Sequence, residues 1–108
     1  MADHFQPFHS LDDVRRLVMS GRISVKDVAR TTTWEDFGMG QNGIEDALLS
    51  LDPSDFHKSM DDDKFAGQRL DVYKTVYAGF PMYIKLKIVT FRGERVMVLS
   101  FKDRYKQR

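Results

Sequence analysis

The sequence predicts an α+β fold, an antiparallel β-sheet with N-terminal helices packed on one face. Three observations predict it. Apolar residues recur at helical spacing through the first half of the chain. From Gln68 onward their period changes to two, the period of a strand with one buried face. The 108 residues, 42% hydrophobic and 31% charged, suit one globular domain spanning 1–108, so helices and strands must share one core.

Ser10 and Asp13 form a capping box that opens the first helix, with Leu11, Val14, Leu17 and Val18 on its inner face. Gly21 can take the left-handed conformation that ends it. Ile23 is expected in a short strand. Ser24 and Asp27 repeat the capping box and predict a second helix with Val25, Val28 and Ala29 inward, weakened by the β-branched run Thr31-Thr32-Thr33. Trp34 and Phe37 are expected to close over the core. Gly38, Gly40 and Gly43 mark a turn. Ile44, Ala47, Leu48 and Leu51 define a third helix. Asp52, Pro53 and Asp55 predict a capped helical turn carrying Phe56, His57 and Lys58, followed by a loop from Ser59 to Gly67.

In the strand region Leu70 and Val72 alternate with Arg69, Asp71 and Tyr73. Ala78 to Pro81 and Arg92-Gly93 read as turns. Met82, Ile84, Leu86, Met97, Leu99 and Phe101 are expected to face the helices. Tyr83, Lys85, Lys87, Ser100 and Lys102 are then left together on the open face. A phenol beside several ammonium groups makes a phosphate cradle; the plainer reading is a solvated sheet face. Tyr83 and Leu99 on one face would sink the proposal of an active site there.

The net charge of +1 hides an asymmetry. Residues 1–63 carry six Lys and Arg against 13 Asp and Glu, and residues 64–108 carry 11 against three. A basic half suits a polyanion such as nucleic acid, or equally attracts the acidic half across one domain. With no cysteine, disulfides and thiolate metal sites are excluded, and a reducing cytosol is compatible. No apolar run approaches the ~18 residues of a membrane span. The start of the chain lacks the basic and apolar regions of a signal peptide. His4, His9 and His57 lack metal-ligand spacing, and Asp61-Asp62-Asp63 lacks the pattern of a calcium loop, so no metal or other cofactor is expected. No phosphate-binding glycine loop, nucleophile elbow or dinucleotide fingerprint is present.

Asp55-Phe56-His57-Lys58-Ser59-Met60, Asp71-Val72-Tyr73, Tyr83-Ile84-Lys85 and Ser100-Phe101-Lys102 occur in this order, after a helix ending Leu17-Val18-Met19-Ser20-Gly21. Together they resemble the motility/quorum-sensing-regulator (MqsR) family over residues 8–104. The resemblance implies a RelE-like ribonuclease fold. It also implies a cytoplasmic toxin of a type II toxin–antitoxin system that cleaves mRNA without metal, at GC-centred sites such as GCU. The implied partners are mRNA and a cognate antitoxin with zinc-binding and DNA-binding parts; no membrane partner is implied.

Carried over residue by residue, the family's catalytic lysine, tyrosine and terminal lysine fall on Lys58, Tyr83 and Lys102. The family glutamine does not carry over: Leu70 stands there, Arg69 replaces a tryptophan, and Gln68 is the nearest substitute. His57 replaces a tyrosine. Lys85, Lys87, His57, Ser100 and Arg69 are the expected RNA-binding residues. The expected reaction is attack of a ribose 2′-hydroxyl on the adjacent phosphate. Tyr83 or Lys58 takes the proton, like-charge neighbours bringing Lys58 closer to base duty, and Lys102 with Lys85 stabilises the transition state. A non-catalytic RNA-binding module and a ribosome-dependent mRNA interferase are the alternatives.

Overall fold

The computed structural model describes residues 2–106. Strand β1 (Asp3–His4) leads to α1 (Leu11–Met19), β2 (Ile23–Val25), α2 (Asp27–Phe37) and α3 (Gln41–Leu49). A 3-10 turn (Pro53–Asp55) precedes β3 (Phe56–Asp61), β4 (Arg69–Tyr77), β5 (Phe80–Val89) and β6 (Arg95–Asp103). The strands form one six-stranded sheet in the order β1-β3-β4-β5-β6-β2. All neighbours pair antiparallel except β2, which runs parallel to β6. The α+β class is therefore correct, with a parallel edge strand added. One face carries the core, where Val14, Leu17, Ile44 and Leu48 meet Tyr73, Ile84, Leu86, Val98 and Phe101.

Helix α1 starts as the sequence predicts, with the Ser10 hydroxyl accepting from the Asp13 N–H at 3.4 Å. Helix α2 does not: its N-cap is Lys26, without a side-chain cap. Ser24 lies in β2 opposite Met97, and the Lys26 N–H donates to the Val98 carbonyl, so pairing holds the backbone extended up to Asp27. The threonine run does not interrupt α2. Thr32 and Thr33 hydroxyls donate to carbonyls within the helix and to the Phe101 carbonyl, at 2.6 and 3.2 Å for the latter. Strand β2 covers only Val96 to Val98 of β6. Beyond it α2 supplies the missing partners: two threonine hydroxyls for the Phe101 carbonyl and the Asp36 carboxylate for the Asp103 N–H. With Ala29, Thr32 and Thr33 inward, Val28 and Trp34 fall outside the core, two-thirds exposed, contrary to expectation. Phe37 does pack inward, against Phe80 and Phe101.

The 3-10 turn has the expected capping box, with Asp52 accepting from Ser54 and Asp55 accepting from Asp52. Phe56, His57 and Lys58 are not on it but begin β3, where a loop was expected from Ser59. Phe56 stacks edge-on against Tyr73, and Ser59 is buried opposite Asp71. The pairing slips at His57, a bulge that breaks the alternation by which a strand is recognised.

Strand β4 has the opposite phase to the apolar pattern. Tyr73 pairs with Ile84 on the core side, whereas Val72 pairs with Lys85. Leu70 and Val72 thus belong to the open face, and both are buried there. Asp71 is buried on the core side, where its carboxylate accepts from the Phe8 and His9 N–H groups.

Strand β6 also changes phase. Leu86 pairs with Val98 but Lys85 pairs with Ser100, leaving Leu99 as an extra residue. Val96, Val98 and Phe101 enter the core, while Met97 and Leu99 line a hollow with Lys85 on the open face. The expectation that Met97 and Leu99 face the helices is wrong. Leu99 shares the face of Tyr83, the arrangement set against an open-face site. That test assumed unbroken alternation. By that criterion the site as read from alternation alone fails, and what remains in its favour is the pairing past the bulge, where Tyr83 lies directly opposite Lys102.

Candidate functional site

The sheet register arranges polar side chains in two rows across the open face. In one row Lys58 pairs with Val72, Val72 with Lys85, and Lys85 with Ser100. In the next, Lys74 pairs with Tyr83 and Tyr83 with Lys102. Strands are about 4.8 Å apart, so these side chains can converge on one ligand group. Lys102 Nζ lies 5.1 Å from the Tyr83 ring centroid, a cation–π contact. Lys58 Nζ is 3.2 Å from an Asp3 carboxylate oxygen, a contact delivered by pairing of β1 with β3.

Electrostatics separate the members. Burial pushes the Tyr83 phenol above its usual pKa, opposed by Lys58, so it stays protonated near neutral pH. Burial, then the ammonium groups of Lys102 and Lys58, lower the pKa of Lys85. The lysine pushed toward its neutral form is thus Lys85, where the sequence pointed to Lys58. His57 is an exposed bulge residue beside the rows. Desolvation, then Lys74 and Lys58, keep its pKa below the ordinary value, favouring neutral imidazole.

Residues 6–103 match the family model described as motility quorum-sensing regulator, toxin of MqsA. The chain belongs to this MqsR toxin family. A comparison with curated proteins returns no match. The matched span includes Lys58, Lys74, Tyr83, Lys85, Ser100 and Lys102, and starts after Asp3.

Three residues expected from the sequence at the site of this MqsR-family chain stand apart from it. Gln68 precedes β4, and its Oε1 accepts from Lys87 Nζ at 2.9 Å. Lys87 is on the open face but its ammonium is occupied: it pairs with Asp62 at 2.9 Å, with both side chains over nine-tenths buried, and lies over the Phe65 ring. Arg69 pairs with Asp61 at the start of β4 and stacks on Phe8. Lys74 was missed, because the apolar Leu70 and Val72 suggested the wrong phase for β4; counting from the Val72–Lys85 pair finds it. Among the described residues, no group of three or more His, Asp or Glu side chains is placed to hold a metal. No helix among them is long and apolar enough to cross a membrane.

Proposed function

We propose that the chain is the toxin of a type II toxin–antitoxin pair, a single-domain endoribonuclease of RelE-like kind that cleaves cytoplasmic mRNA and stops translation. The observation that carries this reading is the direct pairing of Tyr83 with Lys102, beside Lys85. A phenol and an amine in contact, with a second amine two residues along the same strand, can bind a phosphodiester and move its protons. The ribose 2′-oxygen attacks the adjacent phosphorus as its proton passes to Lys85, and the bond to the 5′-oxygen breaks. Lys102 protonates the leaving oxygen. The Tyr83 hydroxyl and the Lys58 ammonium donate to the non-bridging oxygens. The products are a 2′,3′-cyclic phosphate and a 5′-hydroxyl. Proton transfer of this kind supplies about 10²–10⁴-fold and charge stabilisation about 10²–10³-fold.

Two features move the base from Tyr83 or Lys58 to Lys85: burial keeps the phenol protonated, and the Lys58 ammonium lies against Asp3. Contacts with the sugar or a base are assigned to Ser100, which pairs with Lys85, and to His57, the exposed bulge residue before Lys58. The expected preference for GC-centred sites such as GCU, metal independence and a zinc-binding, DNA-binding antitoxin belong to this proposal through family resemblance.

Loss of the family glutamine favours a non-catalytic RNA-binding module, and one observation adds to it: Gln68, the nearest substitute, is engaged by Lys87. Incubating the purified chain with naked single-stranded RNA decides. Cleavage lost in Lys102→Ala supports the nuclease. RNA binding without cleavage supports the module, and cleavage only with added ribosomes supports a ribosome-dependent enzyme.

A further inference from the structure

A hollow of about 570 Å³ opens at the far end of the same sheet face, lined by Lys26, Phe65, Lys87, Arg92, Arg95 and Phe91, among others. Among the described residues its lining contains four cations and no carboxylate. Lys87 is neutralised by Asp62, but Lys26, Arg92 and Arg95 have no ion pair among the described residues. The Arg95 Nε is buried without a hydrogen-bond partner, and one of its two terminal guanidinium nitrogens, Nη1, reaches the Ser24 hydroxyl only at 3.5 Å. Two aromatic rings stand open at the rim, Phe65 at 54% and Phe91 at 76% exposed. Each already has a cation beside it, Lys87 on Phe65 and Arg92 on Phe91. A smaller hollow lies between this one and the catalytic rows, sharing Lys26, Phe65, Lys87 and Met97 with the first and Lys85 with the second; Asp61, Asp62 and Asp63 also line it, so the phosphates of a bound strand must pass outside that acidic side.

We infer that this trough is a second RNA subsite, holding a nucleotide outside the cut dinucleotide. Its base stacks on Phe65 or Phe91 and its phosphate lies on Arg95, Arg92 and Lys26. The occupant is single-stranded RNA because aromatic rings interleaved with unpaired cations suit a base and its phosphate. A paired base would have no free face to offer. The volume, within the range of about 300–1,000 Å³ for small-ligand pockets, accommodates one nucleotide. The buried Asp62–Lys87 pair and the Gln68 side chain fix the 62–68 loop that presents Phe65, a positioning role for residues that the catalytic rows leave unused.

The inference rests on the nuclease reading, and the test separates the two. Cleavage is measured on a short RNA confined to the cut site and on the same RNA extended by several nucleotides on both sides. Phe65→Ala/Phe91→Ala should raise KM about tenfold on the extended RNA, with kcat and the short RNA unaffected. Phe91→Ala alone, at an exposed hairpin tip, should show part of the effect without disturbing the fold. Arg92→Gln and Arg95→Gln should each reduce the slope of log affinity against log salt by about 0.7 for the extended RNA. Unchanged KM on the extended RNA, or equal losses on both substrates, overturns the subsite. If the wild type cuts neither RNA, with or without added ribosomes, the nuclease reading fails alone. Fluorescence anisotropy with the extended RNA then decides: weaker binding by the double variant supports the subsite, and equal binding overturns it.

Discussion

The Asp3 carboxylate lies 3.2 Å from the Lys58 ammonium and so occupies the position that the proposed mechanism gives to an RNA phosphate. Neither partner is deeply buried, at 45% and 26% side-chain exposure, so the pair contributes about 0–1 kcal/mol and can be displaced by substrate. Asp3→Asn should therefore lower KM for RNA by up to about fivefold, the ratio that 1 kcal/mol represents, while melting temperature and kcat stay the same. Steady-state kinetics at low salt check this. An unchanged KM would mean that Lys58 does not meet the phosphate.

The pH dependence should report Lys85. Burial and neighbouring ammonium groups lower its pKa from 10.5, so its neutral, proton-accepting form appears at lower pH than that of a free lysine. The rate should rise with pH and level off before 10.5. Arginine stays protonated throughout, so Lys85→Arg should lose about 10²–10⁴-fold in rate and the rising limb with it. Persistence of that limb in the variant would place the base elsewhere.

The threonine pair on α2 should matter to stability rather than catalysis. Two hydroxyls serve one buried carbonyl, that of Phe101. Either Thr→Val substitution alone leaves a donor in place and should cost about 0.5–1.5 kcal/mol. The Thr32→Val/Thr33→Val double variant strands the carbonyl and should cost about 1–3 kcal/mol beyond the milder single substitution. Urea denaturation measures both. Additive, small losses would show that the carbonyl finds another partner.

Gln68→Ala should leave cleavage of a short RNA within about twofold of wild type, because the side chain serves Lys87 rather than the catalytic rows. A loss as large as that of Lys102→Ala would restore Gln68 to the catalytic group.

Much of the layout was legible where local signals are strong. The capped α1, the capped 3-10 turn and the alternation of β5 follow from cap residues and unbroken periods. Tyr83, Lys85, Ser100 and Lys102 were correctly placed together because no bulge interrupts the pairing between them. The errors cluster at the two bulges. His57 hid β3 within an apparent helical turn and loop, and Leu99 reversed the phase of β6 upstream of Ser100. An extra residue in one strand has no reliable composition, so alternation counted along the chain fails there. The β4 phase failed for another reason. Val72, fully buried between strands that carry Lys58 and Lys85, looks like a core residue in sequence. Lys74, on the same face, was lost with it. Thr32 and Thr33 were read through their helix propensity, which tertiary hydrogen bonds to β6 override.

The central claim is that Tyr83, Lys85 and Lys102 promote attack by a ribose 2′-hydroxyl. Its most direct test is end-group analysis of a single-site RNA and of the same RNA carrying one 2′-deoxyribose at the cut position, each with excess chelator. The account predicts a 2′,3′-cyclic phosphate or its 3′-phosphate hydrolysis product, a 5′-hydroxyl on the other fragment, and no cleavage of the deoxy substrate. Equal cleavage of both substrates, a 5′-phosphate product or abolition by chelator would contradict it.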